Sequence, residues 1–202
     1  MTENKVHYPD FNVLDEEAHW DPHTREIVDQ RLDTSSFYVY QFLTGQEANS
    51  LFQLCSILLD DQRSPVIAYV VHHVDQTLKA DIGESQRKMG VPKQTVLIRK
   101  GLALLDQACT QLHGSPFHVL DAEIQSKVVN ELMQGSLPLQ SDQGSIPVND
   151  FMQKILSEAV SAYYSHPLIW SEIGYAGPAY PRGYVRSGLG LTDQWEAQRN
   201  GQ

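Results

Sequence analysis

Cysteine is scarce: Cys55 and Cys109 are the only two in 202 residues. Two cannot build a disulfide framework, and each stands in an apolar, helix-like window, so both read as reduced core thiols. Long apolar runs are missing as well. The longest, Val66 to Val71, stops at His72 and His73, far short of the roughly 20 residues a spanning helix needs. The opening MTENKVHYPDFNVLDEEAHW has neither the basic start and apolar stretch of a signal peptide nor a twin arginine. A cytoplasmic protein is therefore expected. Positive charge is also short, with 15 Lys and Arg against 25 Asp and Glu, for a formal net charge of −10. Such a chain repels phosphate backbones, which argues against nucleic-acid binding.

Cofactor motifs are equally sparse. No G-x-x-x-x-G-K-[ST] loop occurs, and Gly188-Leu-Gly190 supplies only G-x-G without a third glycine. No C-x-x-C-H run or cysteine cluster is present to attach haem or iron–sulfur. The residues thus assign no cofactor-binding position to this chain. Eight histidines invite a metal reading. His72 and His73, adjacent on a helix, diverge by about 100° and do not face one ion. His113 and His118 straddle a turn, His166 precedes Pro167, and no carboxylate–histidine pair stands at helical spacing, so no metal ligand is assigned. Ser161, near Tyr164 and His166, has no elbow motif around it, so no catalytic residue is assigned either.

What is present is an apolar content of 41%, enough for a core, arranged at helical spacing. Residues 1–36 carry nine acids against three bases and read as an acidic arm. Within it Trp20 and its apolar neighbours could lie on a surface, and a short helix follows Asp21-Pro22. Residues 37–166 read as a domain of about five main helices. Thr44 and Glu47 form a capping box for the first. Pro65 starts the second, and Gly83 lies at or beyond its end. The third carries Val96 to Leu112 and closes at Gly114. Asp121 caps the fourth, which ends by Gly135, and Asn149 opens the fifth. GSLPLQSDQGSIP (135–147) reads as an exposed loop. No stretch alternates with period two for long enough to make a sheet, so the fold class is all-α.

Residues 167–202 change character. PLIWSEIGYAGPAYPRGYVRSGLG is rich in glycine and proline and predicts an irregular tail rather than helix or strand. Its Trp170, Tyr175, Tyr180 and Tyr184 are too much aromatic surface for a passive linker. Glu172, Arg182 and Arg186 stand among them. Either the arginines pair with this chain's own acids and pin the tail, or they belong to a protein-binding surface of the composition enriched at hot spots; both can hold together. Trp20, Trp170, Glu172, Tyr175, Tyr180, Arg182, Tyr184 and Arg186 are the candidate partner-binding residues.

The run FMQKILSEAVSAYYSHPLIWSEIGYAGPAYPRGYVRSGLGLTDQWEA resembles the small third subunit of gluconate 2-dehydrogenase, and HP-x-x-W-x-EIG-x-x-GPA-x-PRGYVR is its most specific part. HWDPHTREIVDQRL (19–32), FLTGQEANSLFQL (42–54), AYVVHHVDQTL (68–78) and IRKGLALLD (98–106) are similar too. The resemblance implies a non-catalytic, mostly helical subunit. Its partner would be a large flavoprotein of the glucose-methanol-choline oxidoreductase type, which holds FAD and oxidises a sugar, sugar acid or related alcohol. In several exported relatives this subunit carries a twin-arginine signal for the complex, and the missing motif here suggests an intracellular complex. The expected function is accessory subunit in a hetero-oligomer. The alternatives are a self-contained metal-dependent hydrolase or isomerase, and a free-standing helical adaptor.

Overall fold

The computed structural model describes residues 8–33, 38–80, 88–141, 144–179, 183, 193 and 195–197. It is mostly helical, in the order α1 (Pro22–Leu32), α2 (Gly45–Leu59), α3 (Ser64–Ala80), α4 (Gln94–His113), α5 (Ala122–Met133), α6 (Val148–Tyr163) and α7 (Pro167–Ile173). The 3-10 helices Val13–His19 and Phe117–Val119 and the strands β1 (Gln140–Ser141) and β2 (Gly144–Ser145) complete the described elements. The all-α expectation holds, with five main helices, α2 to α6.

The chain divides into two compact units. One is residues 36–162. The other joins the two chain ends, 1–35 and 163–202, so the arm and the tail, read separately along the sequence, fold together.

In the 36–162 unit, α2 starts where Thr44 Oγ1 accepts from the Glu47 amide at 3.2 Å and the Glu47 carboxylate accepts from the Thr44 amide at 2.7 Å. This reciprocal cap satisfies two amides that the first turn leaves without helical partners. The helix stops at Asp60, which adopts the left-handed conformation with φ 50°; aspartate tolerates it better than most side chains. The buried Asp61 then pairs with Arg63 (2.6 Å) and turns the chain into α3. Helix α2 packs against α3, α4, α5 and the Phe117–Val119 turn. Its Leu51 and Leu54 meet a core that also includes Val66, Ile67, Val70 and Val71 of α3 and Ile98, Leu102 and Leu105 of α4. Each of these fully buried side chains contributes roughly 1.5–3 kcal/mol of transfer free energy. Cys55 and Cys109 are buried free thiols, and burial pushes both up to about 12; the Asp106 and Glu131 carboxylates add to the effect at Cys109.

Two expectations are corrected. Residues 135–147 are no simple exposed loop: Leu137, Leu139 and Ile146 are buried, and the Ile146 amide donates to the Leu139 carbonyl at 3.2 Å. Those anchors close the β1–β2 hairpin, in which Gln140 faces Ser145 and Ser141 faces Gly144. Alternation over so few residues falls below the length at which periodicity signals a strand. The tail, expected to be irregular throughout, opens with a helix. His166 caps α7, Pro167 occupies its first turn with φ already suited to helix, and Gly174 ends it at φ 74°. Glycine and proline here punctuate a helix instead of forbidding one.

Gly101 of α4 is a point of enforced contact. A Cβ there would stand 2.2 Å from the Phe151 ring of α6, and Phe151 is fully buried. We expect Gly101→Ala to destabilise the fold by about 1–3 kcal/mol, because overpacking outweighs the helix-propensity gain of about 1 kcal/mol. Chemical denaturation checks this, and Phe151→Leu in the same chain should recover part of the loss.

Candidate functional site

The candidate partner-binding residues fall in the chain-end unit. Asn12 caps the 3-10 helix Val13–His19, and Asp21 caps α1 by accepting from the His23 and Thr24 amides. The Thr24 hydroxyl, with the Thr24 and His23 amides, holds the Asp21 carboxyl below its ordinary range. These elements present Val13, Trp20 and Val28, which cluster with Trp170 of α7, flanked by Phe11 and Leu14. The Val13 amide donates to Ser171 Oγ at 3.1 Å. Arm and tail are thus joined by an apolar cluster and a direct hydrogen bond.

Trp170 is the centre of this arrangement. Its Nε1–H donates to the Tyr164 carbonyl at 2.6 Å, and the Tyr175 ring stands edge-on to it at 5.4 Å. The Arg31 guanidinium lies 5.3 Å from the indole centroid while its Nη1 donates to the Ser165 carbonyl at 2.9 Å. Two glycines let the chain come close. At Gly174 (φ 74°) a Cβ would meet the Tyr8 ring at 2.6 Å, and at Gly177 (φ 78°) it would meet the Trp20 indole at 2.6 Å. The H-P-x-x-W-x-E-I-G-x-x-G pattern at residues 166–177 is therefore a recipe for packing: cap, helix start, core indole, helix stop and close approach.

Two of the candidate partner-binding residues are buried in this chain's own fold. Trp20 is 3% exposed and Trp170 4%, both inside the chain's own core. A large amphipathic ring finds its strongest stabilisation in a packed site, and this chain supplies one. Tyr175 is exposed on one side and Glu172 is half-buried. Tyr180, Arg182, Tyr184 and Arg186 lie outside the described residues.

Two of the buried carboxylates in the 36–162 unit stand within its helices. Asp75 of α3 is fully buried; its Oδ2 accepts from the Gln41 amide (2.8 Å) and the Tyr38 hydroxyl (3.0 Å), and its Oδ1 from the Phe42 (2.9 Å) and Leu43 (2.8 Å) amides. Burial alone would raise its pKa, but these four donors favour the ion and hold it below the ordinary value. Tyr38 stacks on His72 with centroids 3.7 Å apart, and Tyr40 stands edge-on to both. Burial, with Asp75 beside it, pushes the Tyr38 phenol up to about 12. Burial lowers His72, against the opposing pull of Asp75. The result is a latch that holds residues 38–43 on α3.

Asp106 of α4 makes the second. It accepts from Ser50 Oγ (2.9 Å) and the Phe117 amide (3.1 Å) on Oδ1, and from the Gln46 amide nitrogen (3.1 Å) on Oδ2. His118 Nδ1 lies 3.2 Å from Ser50 Oγ. Since the serine's one proton goes to Asp106, Nδ1 carries the hydrogen and donates to Oγ. A nucleophilic serine needs the opposite arrangement, with the imidazole accepting its proton. Ser50 is also fully buried. This group ties α2 and α4 to the Phe117–Val119 turn, and its geometry is not that of acyl transfer. His166 uses Nδ1 to accept from the Leu168 amide at 3.2 Å as the cap of α7, and Ser161 is exposed on α6. Among the described residues no group of three or more His, Cys, Asp and Glu is placed to hold a metal ion.

Arg31, Asp75 and Asp106 were not among the sequence candidates. The two aspartates left a signal. Val71, Val74, Asp75 and Leu78, like Leu102, Leu105, Asp106 and Cys109, follow the i, i+3, i+4, i+7 pattern of a buried stripe, and an acid in that register must find donors. Arg31 left none, because its partners come from the other end of the chain.

The model of the family described as gluconate 2-dehydrogenase subunit 3 matches residues 45–177, about two thirds of the chain. The chain belongs to this family. The match runs from the first residue of α2 to Gly177, so it takes in Asp75 without its 38–43 donors, Asp106 with its donors, and the capped, glycine-terminated α7. Residues 19–32 and the segment beyond Gly177, where sequence similarity was also noted, lie outside it. No curated protein and no solved structure matches this chain. Membership makes it an accessory subunit of a dehydrogenase complex, and no described helix is long and apolar enough to cross a membrane.

Two outcomes test these assignments. Asp75→Asn keeps the shape but removes the charge, and should cost about 2–3 kcal/mol at neutral pH. The folded Asp75 pKa lies below the unfolded value of about 3.9, so its contribution is complete above that pH. It is lost as pH falls through the lower folded value. Denaturation from neutral to strongly acidic pH should show the wild-type advantage shrinking there. Gly177→Ala should weaken the chain-end unit by about 1–3 kcal/mol, through φ strain and the Trp20 clash. A change in tryptophan fluorescence and faster proteolysis near the termini would report it.

Proposed function

We propose that this chain binds and stabilises an FAD-dependent large subunit of the glucose-methanol-choline type that oxidises a sugar, sugar acid or glycoside hydroxyl. It carries no catalytic residue of its own. The observation behind this reading is the family match over residues 45–177, whose description is that of a dehydrogenase subunit. The side-chain chemistry is in keeping with it. Asp75 and Asp106 spend their acceptors on the chain's own amides and hydroxyls, and the Ser50–His118 contact is protonated the wrong way round for a nucleophile. On sequence grounds we assign Tyr180, Arg182, Tyr184 and Arg186, with the exposed edge of Tyr175, to the contact with the large subunit. We place the complex in the cytoplasm.

The test is co-expression of the full chain with the flavoprotein encoded beside it, followed by purification through a tag on this chain. The expected result is a stoichiometric complex absorbing near 450 nm, roughly where flavins absorb, with sugar-oxidising activity confined to the complex. A chain that purifies alone from that mixture, or that oxidises sugars unaccompanied, overturns the reading.

A further inference from the structure

The chain-end unit holds two tryptophan–arginine pairs, and they are completed differently. In the first, the Trp170 indole N–H has the Tyr164 carbonyl, and the Arg31 guanidinium has the Ser165 carbonyl and the indole face. In the second, Trp20 and Arg25, the donors are left over. Trp20 Nε1–H is sealed from solvent in a residue 3% exposed, and no acceptor meets it. Arg25 Nε–H is sealed and lacks an acceptor too, while its Nη2 reaches the Trp20 carbonyl at 3.5 Å. That distance is beyond the usual range of a good hydrogen bond. Buried polar groups are almost always paired, so two orphaned donors five residues apart point to an acceptor that the described residues do not supply.

The charge of Arg25 is also uncompensated. Residues 8–33 carry eight Asp and Glu, with Arg25 and Arg31 as the only Lys or Arg. Even in this acidic setting Arg25 forms no ion pair among the described residues. Asp21, at the i−4 spacing that favours pairing, commits its carboxylate to the His23 and Thr24 amides and the Thr24 hydroxyl. Asp29, at i+4, is exposed, and the guanidinium turns back toward Trp20 instead. A water satisfies a stray N–H but leaves the positive charge without a counter-ion. A carboxylate answers both needs, since it accepts several hydrogen bonds and matches the planar guanidinium fork. Arg25 as a whole is half-buried, so its side chain is within reach from outside, and arginine is enriched among the residues that dominate protein interfaces.

We propose that Arg25 is a docking residue, whose guanidinium receives a carboxylate from an acidic side chain of the large subunit, with Trp20 Nε1–H as the neighbouring donor. The proposal rests on the accessory-subunit reading and adds a charged contact on α1 that sequence did not single out. A half-buried cation held without a counter-ion disfavours the free subunit and favours the docked one, so stability and capture should respond in opposite directions. The test compares wild type, Arg25→Met and Arg25→Glu, each as the isolated full chain and co-expressed with the flavoprotein. Methionine keeps the length of the stem and removes the charge, so the isolated chain should melt no lower than wild type. Glutamate stands in the first turn of α1, where negative charge is tolerated. Arg25→Met should recover at least about tenfold less flavoprotein than wild type, and Arg25→Glu less again, because it faces a like charge. Added salt should weaken wild-type capture more than that of Arg25→Met. If wild type captures the flavoprotein and Arg25→Met captures as much, the docking proposal fails while the accessory role stands. A fall in melting temperature with Arg25→Met makes the residue a brace of its own unit and overturns the proposal, as does Arg25→Glu capturing as well as Arg25→Met. If wild type itself captures nothing, the accessory reading fails and the docking residue falls with it.

Discussion

An aspartate in the apolar stripe of a helix must be neutralised by donors or it expels its helix from the core. In the 36–162 unit that constraint operates twice, at Asp75 and Asp106. Each draws an otherwise irregular segment onto a helix: residues 38–43 onto α3, and the Phe117–Val119 turn onto α4. Charge-assisted bonds to backbone amides are roughly twice as strong as neutral ones. They also specify direction, which apolar contacts do not. The core supplies most of the burial, and the carboxylates decide which loop closes over which helix.

The chain-end unit solves a related problem by other means. Its segments are short and far apart in sequence, so closing them together costs entropy that local helix formation cannot repay. The structure meets that cost with large rings. Trp20 and Trp170 bury their indoles in one cluster, Arg31 covers one of them, and Gly174 and Gly177 bring the backbone within contact distance. This explains why the H-P-x-x-W-x-E-I-G-x-x-G pattern is long and irregular. His166, Pro167, Trp170, Gly174 and Gly177 each answer a separate geometric demand, and few other residues meet them together.

A subunit that supports another protein has to present a fixed surface, and both units are built for fixity. Trp20 and Trp170, partner-binding candidates in the sequence, are buried in the core of the chain-end unit. Among the described residues the large side chains left exposed include Val39, Met89, Leu112 and Val119, while Trp20 and Trp170 are withdrawn into the core. That suits an accessory chain better than an exposed tryptophan patch, which would promote self-association before the partner arrives.

Much was legible in the sequence because it is local. Helix starts at Thr44 and Asp121 and stops at Gly114 and Gly135 depend on side chains within four residues of the backbone they cap, and the apolar stripes of α2 to α6 follow from spacing alone. Family membership was legible in the irregular motif for the same reason: its residue types stand at fixed short intervals. Tertiary structure alone decided the rest. Whether Trp20 and Trp170 face a partner or each other depends on two segments about 150 residues apart. No periodicity encodes that meeting. The donors for Asp75 come from residues more than 30 positions away, and those for Asp106 from as far as Gln46. The β1–β2 hairpin exists because Leu139 and Ile146 find a core to enter. Burial is a property of what surrounds a residue, so a sequence can mark an aromatic or an acid as important while leaving its role to the fold.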